Sequence, residues 1–170
     1  MELLRKMRGD RAELPPRSSA TSVVATVLAA VVVIGGLSYL TRELEVMLLL
    51  GTFAASSLLV FAYPDSPFAQ PRNVLLGHLL GSACGLAGAH LFAGQWWAPA
   101  LAVGAAIGLM KLARAVHPPA CSNPLIIFAL NQAPWTFLLF PTLAGAALIV
   151  LVALCYHNLR REARWPKYWF

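Results

Sequence analysis

The sequence predicts an all-α polytopic membrane protein with six membrane segments, and three observations carry that prediction. Four runs, residues 18–41, 46–64, 73–110 and 115–159, contain no Asp, Glu, Lys or Arg. Over the 170 residues 59% are hydrophobic and 12% charged, with a mean hydropathy of +0.68. The third observation is a break inside the last run, at His117, Pro118 and Pro119. Two consecutive prolines remove two backbone donors and cannot sit inside a continuing helix. A crossing takes roughly 20 apolar residues at about 1.5 Å each, so the first two runs hold one crossing each and the last two hold two. A soluble helical bundle would carry polar faces at helical spacing, and these runs have none.

Taken in order, residues 1–20 form a basic cytoplasmic segment, with Leu3, Leu4 and Met7 at helical spacing for a short surface helix or a tail. The first span covers residues 21–40 and ends in a polar loop at 41–45. The second covers 46–63, where Thr52, Ser56 and Ser57 interrupt apolar sequence. In the loop PDSPFAQPRN, Pro64, Pro67 and Pro71 forbid regular structure and Asn73 is placed to cap the next helix. The third span, 74–92, carries Gly77, Gly81 and Gly85 every fourth residue, a smooth face for close helix packing, with His78 beside it. Gln95, Trp96 and Trp97 turn the chain at an interface before a fourth span at 98–116, which has its own small face at Gly104 and Gly108.

After the proline break Ser122 or Asn123 is a good N-cap and Pro124 suits the first helical position, so a short fifth segment runs over 124–131. The turn from Asn131 to Trp135 leads into a sixth span at 138–157. Residues 159–170 form a basic aromatic cytoplasmic tail suited to a headgroup region.

Basic residues set the orientation. With six crossings and both termini inside, the N-terminal segment holds five Lys/Arg, the 64–73 loop one, the 111–117 region two and the tail four. Only Arg42 is left outside. Five crossings would place the four basic residues of the tail on the opposite side.

An internal repeat fits the same count. Offset by 66 residues, the stretch from Phe53 to Val60 lies over that from Pro119 to Ile126, and each leads through a proline-bearing loop into a Gly/Ala-rich span. Two units of three segments make an inverted repeat, because an odd number of crossings turns the second unit over. Residues 117–123, in extended form, climb about 20 Å and bring the helix start at Pro124 to the middle of a core about 30 Å thick. A helix N-terminus presents unpaired N–H groups and partial positive charge, which favours an anion. Thr52, Ser56 and Ser57 of the second span come to the level of Ser122 and Asn123 from the other side.

Several classes are excluded. There are no paired carboxylates in the spans, no Ser-His-Asp set, no metal-ligand cluster and no phosphate loop, so no catalytic residue, cofactor or metal is expected. Asp65 is the only acid between Glu45 and Glu162. The net charge of +6 follows the one-sided distribution of basic residues and gives no sign of nucleic-acid binding. Cys84, Cys121 and Cys155 all fall in apolar runs and read as small buried side chains without a disulfide framework.

The stretches HPPACSNPLI and GTFAASSLLVFAYPDSPFAQPRNVLLGHLLGS resemble the HPP family of integral membrane proteins, over roughly residues 20–160. That resemblance implies an HPP-type transmembrane domain over 21–158. Some plastid and cyanobacterial members are assigned to nitrite transport, so it also implies passage of a nitrite-like monovalent anion, here across a bacterial inner membrane. Ala54, Ala120 and Cys121 stand where glycine is common in the family pattern, and the two alanines occupy matched positions of the repeat. The candidate binding residues are therefore His117, Pro118, Pro119, Ala120, Ser122, Asn123, Thr52, Ala54, Ser56, Ser57 and His78. His117 is also the candidate proton carrier, since imidazole changes charge near neutral pH. The expected partners are a small inorganic anion, membrane lipids and further copies of the chain. The competing reading is a non-transporting membrane module that binds a lipid or a partner protein through its glycine-striped spans.

Overall fold

A computed structural model describes residues 13–130, 133–160 and 163–169. The surface helix expected around Leu3, Leu4 and Met7 falls outside these residues, as do Asn131 and Gln132. Among the described residues the fold is helical throughout, with α1 (Ala20–Glu43), α2 (Thr52–Ala62), α3 (Pro71–Leu91), α4 (Ala98–Leu112), α5 (Asn123–Ala129) and α6 (Ala144–Arg160). Short 3-10 turns at Pro67–Ala69, Pro118–Ser122 and Trp135–Leu138 and a wide π turn at Leu139–Leu143 join them.

Helix lengths divide the six expected segments unequally, and the second is short as well as the fifth. α1, α3 and the stretch Trp135–Arg160 are long and apolar enough to cross a membrane, whereas α2 and α4 are shorter apolar helices. At about 1.5 Å per residue α2 is ~16 Å long and α5 only ~10 Å, so each covers part of a core of ~30 Å. α2 is short because residues 47–50 are non-helical and Tyr63 and Pro64 close its far end. Pro71 and Pro124 occupy the first turns of α3 and α5, where their missing N–H costs nothing.

The two short helices start at one level and run apart. α2 ends at the loop that feeds α3, while α5 ends where Phe128 packs beside Gly88 near the opposite end of α3. Their starts are tied by the Thr52 hydroxyl, which donates to Asn123 Oδ1 at 2.9 Å. His78 and Ser82, which also contact Asn123, lie about 10 and 17 Å along the ~31 Å of α3, so the junction is at the level of the first half of α3.

Most of the basic connections gather at one end. Arg72 donates to the Ala113 carbonyl and Asn73 to that of Val116, joining the loop before α3 to the end of α4. The C-terminal tail folds back onto the same loop: Tyr168 donates to the Pro67 carbonyl, the Lys167 amide to Gln70 Oε1, and the Lys167 ammonium pairs with Asp65 at 3.3 Å. Ser22 of α1 shares a cavity of about 320 Å³ with Asp65 and Arg160, so the start of α1 is at this end too. Arg42, in the last turn of α1, is at the other.

Three local expectations change. Asn73 does not cap α3; Gln70 precedes Pro71 at that position, and Asn73 accepts from the Tyr168 hydroxyl while donating to Val116. The tail is not merely an interfacial appendage, because Trp165 is 2% exposed and its backbone is clamped by both ends of the Asn158 amide. Gly104 and Gly108 have no atom within 4 Å where a side chain would project, so this face of α4 is bare in the single chain. α4 ends in a Schellman turn, with the amide of Ala115 bonded to Met110 and that of Arg114 to Lys111. Arg114 takes the left-handed position, φ 53°, that glycine usually fills.

The apolar surface of α1 is the lipid-facing exterior expected of a span. Val23, Val24, Val27, Leu28, Val31 and Val32 are each about half exposed or more, and in water such a patch would drive aggregation. The buried side of α1 is the narrow stripe of Ala29, Val33 and Leu37.

Candidate functional site

The glycine stripe of α3 decides how the proline break is held. A Cβ on Gly85 would lie 2.7 Å from Pro124 Cα, and one on Gly81 would meet the carbonyl of Ala120, closer than real contacts allow. Gly77 faces the His117 Cβ in the same way. The stripe expected to pack against a helix thus packs against the break itself, from His117 to Pro124. The prolines do not leave the chain extended: residues 118–122 form a 3-10 turn, compatible with proline's fixed φ, and this corrects the ~20 Å extended climb. Gly81→Ala is expected to cost about 2 kcal/mol, since the obstructing atom is backbone and cannot swing aside. A lowered melting temperature of the purified protein in detergent checks it.

The tight docking brings polar side chains from four segments into one buried chain of hydrogen bonds. His117, His78, Ser56, Ser82, Asn123 and Thr142 are each 0% exposed, and Thr52 is 6% exposed. His117 Nδ1 donates to the Phe68 carbonyl at 2.8 Å, because a carbonyl only accepts. Its Nε2 is then bare in the neutral ring and sits 2.9 Å from Ser56 Oγ. On the other side of Ser56, His78 Nε2 lies at 2.8 Å.

Partners also assign the second ring. Asn123 Nδ2 approaches His78 Nδ1 at 3.1 Å, so Nδ1 accepts and the proton is on Nε2, aimed at Ser56. Ser56 then accepts from His78 and passes its own proton toward His117 Nε2, with the Thr52 carbonyl at 3.1 Å as an alternative acceptor. The Asn123 amide also donates to Ser82 Oγ at 2.9 Å, and Ser82 bonds the Thr142 hydroxyl at 2.8 Å. Phe53 stands edge-on to the His78 ring at 5.0 Å, and Gly145 leaves room for the Phe53 ring. Nearly every polar group here has a partner within the cluster, which is what a low-dielectric setting demands.

Of the candidate residues, His117, His78, Ser56, Thr52 and Asn123 come together. Ala120 is buried against Gly81, and Pro119 is partly buried. Ser57 is buried with no hydrogen-bond partner for its hydroxyl, and bonds to no member of the cluster. Pro118, Ser122 and Ala54 are exposed and lie outside it. The helix starts also differ from expectation: the amides of Phe53 and Ala54 bond to Leu50 and Gly51, and that of Asn123 to Ala120. Backbone donors reserved for an anion are thus partly taken, and side chains dominate the site. Ser82, Thr142 and the Phe68 carbonyl were not anticipated. Ser82 follows His78 by one helical turn, a spacing visible in the sequence; Thr142 and Phe68 carry no such signal.

Other hollows lie away from the cluster. The 320 Å³ cavity at the loop end is lined by Phe61, Asp65, Tyr156, His157 and Arg160, with the Arg160 guanidinium over the Tyr156 ring. A groove of about 180 Å³ between α3 and α4 is almost wholly apolar. Among the described residues no group of three or more His, Cys, Asp or Glu is placed to hold a metal ion.

No solved structure matches this chain. Two transmembrane proteins of Dictyostelium discoideum are similar, one 36% identical over 135 residues, covering 75% of this chain and 47% of its own length. The other is 36% identical over 137 residues, covering 76% and 44%. The chain thus spans about half the length of these curated relatives. The sequence profile of the HPP transmembrane region matches residues 15–166, and those residues include every member of the buried cluster. The chain is a membrane protein of the HPP transmembrane family.

Proposed function

We propose that this chain passes a small monovalent anion, nitrite-like in size and charge, through the level where α2 and α5 begin. The observation that carries the reading is the buried junction of His117, Ser56, His78, Asn123 and Thr52 between two partial helices. Polar groups held at mid-membrane are costly and mark pathways more often than they mark packing. Paired short helices that start at mid-depth are the usual way to build such a site in a transporter. In this reading the arrangement described is a closed state, and the anion enters by taking the hydrogen bonds that the side chains now make to one another. It is a transporter and not an enzyme.

The proposal includes two inverted units of three segments, α1 to α3 and α4 to α6. The opposed directions of α2 and α5 support it. The basic end is assigned to the cytoplasm by the positive-inside rule, with both termini there; the setting of a bacterial inner membrane rests on family resemblance alone. Self-association rests on the small size of the unit, and the bare Gly104 and Gly108 face is available for it. That bare face is also the one observation favouring the competing reading, a membrane module that binds a lipid or partner protein.

The test is uptake of nitrite, nitrate, formate and chloride into proteoliposomes containing the purified chain. Saturable entry of at least one anion is expected. No flux above empty liposomes, from protein that elutes as a single folded species, would overturn the transport reading.

A further inference from the structure

We infer that His78, Ser56 and His117 form a proton relay, so that one proton moves between the two imidazoles through the serine hydroxyl. This rests on the transport reading for its physiological use, but the relay is a property of the cluster and is tested separately.

Ser56 Oγ stands 2.8 Å from His78 Nε2 and 2.9 Å from His117 Nε2, a donor and an acceptor on opposite sides of one hydroxyl. The ring centroids are 5.1 Å apart, so a second positive charge would face the first at close range inside an apolar protein. The pair therefore holds one extra proton and not two.

The step balances without any co-reactant. A proton added at His78 Nδ1 releases the Nε2 proton to Ser56 Oγ, as the Ser56 proton passes to His117 Nε2. His78 ends neutral in its other tautomer, Ser56 is unchanged, and His117 becomes an imidazolium whose Nδ1–H still donates to the Phe68 carbonyl. One positive charge now stands beside the proposed anion path.

The same step reaches the helix junction. A proton on His78 Nδ1 faces Asn123 Nδ2 donor to donor, so the amide must turn to present Oδ1. Turned, Asn123 places Nδ2 against Thr52 Oγ1 and loses its donation to Ser82. Proton position is thereby linked to the contact between the starts of α2 and α5, the elements that would part in an open state.

Other titratable or charged groups on the flanking elements are engaged elsewhere or stand at the ends of the fold. Arg72 of α3 bonds the Ala113 carbonyl, and Asp65 pairs with Lys167. Lys111 and Arg114, at the end of α4, are exposed. Cys121 turns to the Met110 sulfur at 3.9 Å. His157 of α6 donates to the Val60 carbonyl, and His90 of α3 to that of Leu86. α2 and α5 carry no charged residue.

The experiment is nitrogen NMR of the full chain in detergent, with 15N-labelled histidine, across a pH titration of wild type and Ser56→Ala. At high pH the wild type is expected to show His117 protonated at Nδ1 and His78 at Nε2. On acidification both rings should change together as one proton is shared, whereas in Ser56→Ala, which removes only an oxygen, the rings still repel a second charge but the proton should stay on one of them, so that only one ring changes. Independent titration in the wild type, or identical behaviour in both proteins, would overturn the relay whether or not any anion is transported. In proteoliposomes with an internal pH dye, anion-driven proton entry should fall at least tenfold in Ser56→Ala. Undiminished proton entry would also overturn it, while anion flux without proton movement in the wild type would keep the transport reading and remove the relay.

Discussion

Proteoliposomes carrying His117→Ala are expected to take up nitrite at least tenfold more slowly than wild type. Among the described residues the ring is the cluster side chain that joins the loop before α3 to the buried junction, through Phe68 on one nitrogen and Ser56 on the other. Removing it leaves a buried carbonyl and a hydroxyl without that partner, and each such loss costs about 1–3 kcal/mol in general. In membranes the cost is nearer the low end, because the unfolded chain also finds partners. The variant should therefore still fold, at reduced stability, and a single elution peak separates lost transport from lost protein. Wild-type flux from a folded His117→Ala protein would remove His117 from the site.

The largest stability effect is expected for Asn123→Ala, a loss of about 3 kcal/mol. The Asn123 side chain accepts from Thr52 and donates to His78 and Ser82, so one amide ties α2 and α3 to the start of α5. Alanine leaves three groups short of a partner and a small void between them. α5 has only seven residues, too few to hold its position by helix propensity, and the amide and the glycine stripe locate it. Thermal unfolding in detergent should show Asn123→Ala melting well below both wild type and His117→Ala. Equal melting temperatures for the two variants would mean that α5 is held by its packing alone.

Much of this protein was legible without coordinates. Charge-free runs and the double proline identify a polytopic membrane protein with a break at 117–119, because composition and proline chemistry are local properties. The described basic residues outside Arg42 mark connections that gather largely at one end, since charge has to stay out of the core whatever the packing. Ser56, His78, His117 and Asn123 stood out as polar residues in apolar sequence.

Tertiary structure decided what those residues do to one another. Ser56 meets a histidine 22 residues away and another 61 away, and Asn123 reaches back to Thr52 across 71 residues. No local pattern encodes such pairings. The extended form expected for 117–123 was wrong over 118–122 because prolines suit either an extended or a coiled backbone. The coil is pressed against Gly77, Gly81 and Gly85, where only a backbone without side chains leaves room. Ser122 and Ala54 turn outward for the same geometric reason: helical phase at the junction is set by where Asn123 and Ser56 must point. Residue chemistry along the chain thus determined the membrane class, the position of the break and the charged end. Close packing of distant segments, which sequence periodicity does not record, decided which polar groups share a proton-sized distance at the centre.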